Sequence, residues 1–226
     1  GKVIIKGLDS HVSSSSHTRA LKISLNYSAT KLTSRQTRLQ NLANEKDYQY
    51  TSKIDWNTTY LKNFHFFEIR PLERKSNCLK GTFKDSKVSW EIADVTFNEG
   101  AAFTAETFNT TLMVLKLNKK IPIFTMEKEG VFEKIFDRLM AFTGYKDIDV
   151  ELYPDFSNKF LIMGNEESEI RSFFTPEIIR FFENHQIYHL ESNGEAIVIF
   201  DKIKLARTDE TIAFIDYGKE LALLLN

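Results

Sequence analysis

Between Phe156 and Glu183 the chain reads FSNKFLIMGNEESEIRSFFTPEIIRFFE, a strand, a tight polar turn and a helix that pauses at Thr175-Pro176 and restarts. Lys159 to Met163 is nearly all apolar, which suits a buried strand. Gly164-Asn165 turns the chain, and Glu166, Glu167 and Glu169 then open a helix, because carboxylates favour the positive end of the helix dipole. Ile170, Phe173, Phe174, Ile178, Phe181 and Phe182 share one face at helical spacing. Thr175-Pro176-Glu177 supplies a hydroxyl cap, a first-turn proline and an acid behind it, which marks a fresh helix start. The spacing therefore predicts a strand followed by two short helices at an angle, or by one kinked helix. The glutamates read as helix-capping charges, not as a metal or acid–base cluster.

The remainder of the chain divides into an arm and a globular part. Residues 1–33, with a serine run at Ser13 to Ser16, read as a linker or arm, although Lys22 to Tyr27 alternates enough for a short strand. Residues 34–226 read as one α+β domain, with 34–145 and 146–226 as candidate sub-domains. Ser34 caps a polar helix with a narrow apolar edge at Leu39, Leu42 and Ala43. Strands are expected at 48–56, 61–69, 77–83, 87–97 and 108–117, joined by short turns at 84–86 and 98–100. Ile121 to Phe124 is extended and leads into a helix over 127–143, which ends at Gly144 in a left-handed C′ conformation. A strand at 147–153 follows, then a hairpin of 186–190 and 196–200 across Asn193-Gly194. Thr208 caps a final helix over 208–225. The fold class is α+β, a predominantly antiparallel sheet covered by about three to four helices.

Composition narrows the function classes. Thirty basic and 31 acidic residues leave a net charge of −1, without the basic excess of a nucleic-acid binder. The single cysteine, Cys78, leaves no intrachain disulfide and no CxxC motif, and reads as a buried or half-buried thiol. No apolar run reaches membrane-spanning length. The chain opens on Gly1 rather than Met, which leaves room for a signal or membrane segment upstream. His185 and His189 lie four apart with Glu191 following. They straddle a predicted helix end and strand, so they read as surface or edge histidines, with a metal pair as the other reading. No nucleophile elbow, Walker A loop or dinucleotide fingerprint occurs, so neither catalytic residues nor a cofactor are assigned.

The motif F-S-x-x-F-L-I-x-G-x-E-E-x-x-I-R-x-F-F-T-P-E-I-I-x-F-F-E resembles a pattern in uncharacterised bacterial proteins that carry hydrophobic N-terminal segments and a soluble C-terminal domain. Further likeness lies in Arg38-Leu39 leading to Tyr48 and Tyr50, in Phe64 to Phe67, in Gly81 and in Pro122 to Phe124, so that it spans about residues 35 to 225. The resemblance implies an upstream membrane anchor and a domain on the cytoplasmic side. It supplies no catalytic residues. The first functional expectation is a non-enzymatic interaction or scaffolding domain with a protein partner. The alternative is an enzyme or small-molecule binder whose site is assembled from distant residues. A pocket holding several polar groups with perturbed pKa values would favour the alternative. A flat surface with an exposed aromatic patch would favour the first.

Overall fold

The computed structural model describes residues 34–99, 106–128, 144–201 and 204–226. The chain divides into two compact units, residues 1–38 and 39–226, and all the described strands lie in the second. The expected arm and its Lys22 to Tyr27 strand lie outside the described residues, as does residue range 129–143 of the expected helix.

Nine strands form one sheet in the order β1-β2-β3-β4-β9-β8-β5-β7-β6, and every pairing is antiparallel. They are β1 Gln49–Thr51, β2 Leu72–Thr82, β3 Ser89–Glu99, β4 Glu106–Lys116, β5 Ile123–Lys128, β6 Lys146–Asp147, β7 Phe160–Gly164, β8 His189–Asn193 and β9 Ala196–Phe200. This single sheet draws strands from both sides of residue 145. Six α-helices are described, which exceeds the expected three to four. These are α1 over 34–46, α2 His65–Glu68, α3 Pro154–Ser157, α4 Glu167–Phe173, α5 Pro176–Asn184 and α6 Thr208–Leu225. None of them is long and apolar enough to cross a membrane.

The organising run folds as its spacing predicts. Two helices follow β7, and the Thr175 hydroxyl accepts the Ile178 N–H at 3.4 Å as the cap of α5. Their apolar faces join one large core. Phe156, Phe174, Phe182, Phe214 and Leu221 pack there against Trp90, Ile92, Met113, Phe124 and Ile199 of the sheet. This helix-covered face holds most of the buried aromatic side chains among the described residues, and each buried Phe adds roughly 1.5–3 kcal/mol through lost water contact.

Several expected elements are corrected. The strand at 48–56 shrinks to Gln49–Thr51. The strand at 61–69 is instead a 3-10 turn, Thr59–Asn63, followed by α2. The 3-10 turn buries Leu61, Phe64 follows in extended conformation, and α2 turns Phe66 and Phe67 inward, so all four are buried without the two-residue alternation of a strand. Glu127 and Lys128 finish β5 rather than opening a helix, and Asn98-Glu99 finishes β3 rather than turning. The strand at 147–153 is reduced to Lys146–Asp147. Arg207 occupies the N-cap of α6 in place of Thr208, and its N–H is held by the Glu210 carboxylate at 2.8 Å. Gly144 has the positive φ of 67° expected of it.

The β8–β9 hairpin turns at Gly194, whose φ of 93° is a conformation an L side chain tolerates poorly. Gly194→Ala should therefore cost roughly 1–2 kcal/mol. Denaturant unfolding would check this, with an unchanged midpoint as the contrary result.

Candidate functional site

Residues 59–70 lie across the second face of the sheet and cover only part of it. Beneath them Phe64, Phe66 and Phe67 pack against Ala93, Val95, Phe97, Leu112, Val198 and Phe200. What fixes the segment is polar. Glu191 on β8 is fully buried, and its two carboxylate oxygens accept the backbone N–H groups of His65 and Phe66 at the start of α2, the latter at 3.0 Å. A carboxylate from a distant strand thus satisfies two of the donors that every helix start leaves open. Burial pushes the Glu191 carboxyl up, and the charge of His189 with these two N–H bonds offsets part of that push.

His189 faces the same layer. Its Nδ1 lies 2.7 Å from Glu127 Oε2, with both side chains buried, and its ring stacks on Phe200. Burial raises the Glu127 carboxyl, against the bond and charge of His189. Arg70 closes the far end of the segment. Its guanidinium sits 4.1 Å from the centre of the Phe66 ring, donates to Phe66 O at 2.9 Å and pairs with Glu99.

The two histidines flagged in the sequence are therefore not a pair. His185 contacts Phe181 O at 2.7 Å and Glu220 at 2.8 Å among the helices, whereas His189 is buried on the opposite face of the sheet. Its expected surface position is corrected, because β8 turns alternate residues to alternate faces and brings His189 beneath α2. Among the described residues no group of three or more His, Cys, Asp or Glu side chains could hold a metal ion.

Where the 59–70 segment ends, the sheet face opens into a groove. Two adjoining hollows, of about 560 Å³ and 470 Å³, share Tyr60, Val114 and Lys116. A charge network forms the floor of the first. Glu91 Oε1 accepts from the Tyr60 hydroxyl and from Lys75 Nζ at 3.2 Å, while Lys80 Nζ sits 2.9 Å from Oε2. Lys75 also reaches Asp55 at 3.3 Å and lies 4.7 Å from the centre of the Tyr60 ring. Cross-strand register explains the assembly: Lys80, Glu91 and Val114 are direct partners on β2, β3 and β4, so they share one face.

The electrostatics of this floor are locked. Burial opposes ionisation of Glu91, but the Tyr60 and Lys80 hydrogen bonds and the two lysine charges outweigh it and hold the carboxyl at about 2. Burial, then Glu91, pushes the Cys78 thiol up to about 12, and the same two causes raise the Tyr60 phenol. At neutral pH these groups are fixed as carboxylate, thiol and phenol. None is poised to exchange a proton or, for the thiol, to attack as thiolate. Sequence reading passed over Tyr60, Lys75, Lys80, Glu91 and Lys116. Their one signal was charge interrupting strand-like apolar alternation, which by itself does not say which charges will meet.

The fold these elements define is an α+β domain built on a large antiparallel sheet. No family model and no curated protein matches the chain. Among solved structures it is similar to the crystal structure of the mycobacterial trehalose monomycolate transport factor A, TtfA, with a TM-score of 0.51 and 9% identity, over 84% of this chain and 94% of that one. That likeness concerns the fold alone.

Two outcomes test this geometry. With Glu91 held below its ordinary value of 4.5, the unfolded chain binds more protons between that pH and about 2. The associated stability is present above that window and lost as pH falls through it. Glu91→Gln should remove on the order of 3 kcal/mol at neutral pH and flatten the acid limb of a stability–pH curve. A limb of unchanged slope would contradict the network. Glu191→Ala should strand two N–H groups at roughly 1–3 kcal/mol each. Hydrogen exchange would show the loss of protection concentrated in residues 64–70, whereas a uniform loss would contradict the clamp.

Proposed function

We propose that this domain is a non-catalytic binding module whose ligand, a small molecule, occupies the groove beside the 59–70 segment. The observation that carries the reading is the floor of the groove, where a carboxylate, two lysines and a phenol are held together in a partly desolvated network. Desolvating charges is costly, and a hollow of several hundred Å³ with a few convergent polar groups is the usual form of a ligand site. Fixed protonation states suit recognition better than proton transfer. The similar solved structure is that of a transport factor, which is compatible with binding as the activity of such a fold.

A second reading, as a protein-interaction or scaffolding domain, has its own observation. Ile54 and Trp56 are 50% and 69% exposed on one short segment, and exposed aromatics are common in interfaces. In both readings the domain belongs to a membrane-anchored bacterial protein, on the cytoplasmic side, an assignment drawn from the sequence resemblance.

A fragment screen read by backbone amide shifts tests the choice. Hits should cluster at Tyr60, Val114 and Lys116 and weaken in Tyr60→Ala. Hits confined to the smaller hollow beside α6, about 200 Å³ and lined by Tyr188, Glu210 and Phe214, would overturn the assignment.

A further inference from the structure

We infer that the groove takes a phosphomonoester, seated on the row Thr82–Ser89–Lys116; this rests on the groove being the binding site. Those three residues are direct cross-strand partners at the ends of β2, β3 and β4. Adjacent strands lie roughly 4.8 Å apart, so two hydroxyls and an ammonium point from neighbouring strands into one hollow. The Thr82 and Ser89 hydroxyls are 3.3 Å from each other and exposed, leaving donor capacity for a ligand oxygen. Lys80 is two residues before Thr82 on the same face and brings a second ammonium to the edge of the row.

Charge selects the ligand class. The two hollows are lined by five lysines, Lys75, Lys80, Lys116, Lys119 and Lys120, against three carboxylates, Asp47, Glu91 and Glu195. Glu91 is engaged by Lys75 and Lys80, Lys75 is also paired with Asp55 at 3.3 Å, and Glu195 lies 3.9 Å from Lys120, which leaves Lys116 and Lys119 against Asp47. Lys116, which borders both hollows, joins no ion pair among the described residues. A surplus of ammonium charge beside two hydroxyls suits an anion with several acceptor oxygens. A phosphomonoester has three such oxygens and a charge of about −1.5 to −2 at neutral pH, whereas a carboxylate has two and a single charge. Lysines meet it as flexible point charges, without the planar fork of arginine.

The experiment is an amide-shift titration of the whole chain with glycerol 3-phosphate. Saturable shifts are expected at Thr82, Ser89, Lys116 and Ala196. Affinity should fall about tenfold in Lys116→Gln, about 1.4 kcal/mol, and several-fold in Ser89→Ala. Lys219→Gln, on α6 and paired with Asp85 at 3.8 Å, should leave it unchanged. A parallel arm measures sedimentation with phosphatidylcholine vesicles with and without phosphatidic acid. Binding to glycerol 3-phosphate alone identifies a soluble phosphoester. Sedimentation that needs phosphatidic acid and is lost in Lys116→Gln identifies a lipid headgroup carrying the same group. Linear shifts spread over surface lysines, or an affinity insensitive to Lys116, would overturn the inference. If fragments still bind the groove, only the ligand class fails; if they too bind elsewhere, the groove reading fails with it.

Discussion

The carboxylate of Glu191 is the contact from which the second face of the sheet is organised. A fully buried acid is expensive unless it is hydrogen-bonded, and here the bonds come from two consecutive backbone N–H groups of another segment. The contact therefore serves two needs, a partner for the acid and a start for α2. It also fixes where the 59–70 segment lies. Phe64, Phe66 and Phe67 then find the apolar part of the face, and Arg70 closes the end over the Phe66 ring.

The groove follows from that placement. Because the segment covers the face only as far as Tyr60, the rows beyond it are left open, and these rows carry Lys80, Glu91 and Lys116 in place of apolar side chains. Tyr60 is at once the margin of the cover and a donor to the network on the floor. The covered and open parts of the face are thus joined through one side chain.

The network is also an electrostatic device. Glu91 is shared by Tyr60, Lys75 and Lys80, and its neighbours hold it ionised despite burial. The shifts of Glu91, Cys78 and Tyr60 all move away from neutrality, so the floor keeps one charge state across the physiological range. The exposed rim, with Thr82, Ser89 and Lys116, remains free to rearrange around a ligand. A rigid floor beneath an adaptable rim limits the side-chain ordering needed on binding.

The sequence by itself determined the elements whose signal is local. Residues 160–184 folded as strand, helix and capped second helix, because apolar spacing, a threonine cap and a first-turn proline act within a few residues. The 196–200 strand, the hairpin turn before it and the 208–225 helix were legible for the same reason, as was the α+β class, whereas the first hairpin strand lies at His189–Asn193, three residues later than the expected 186–190. Only the tertiary structure decided the rest. Leu61 to Ile69 alternates only in part, so its strand pattern is a weak local signal. The choice fell to Glu191, more than a hundred residues away, and to the apolar face it brings the segment onto. His185 and His189, close in sequence, went to opposite sides of the sheet, while Lys80, Glu91 and Lys116 were gathered by strand register. Register is a property of paired strands and not of any one of them, so the site had no local signature to read.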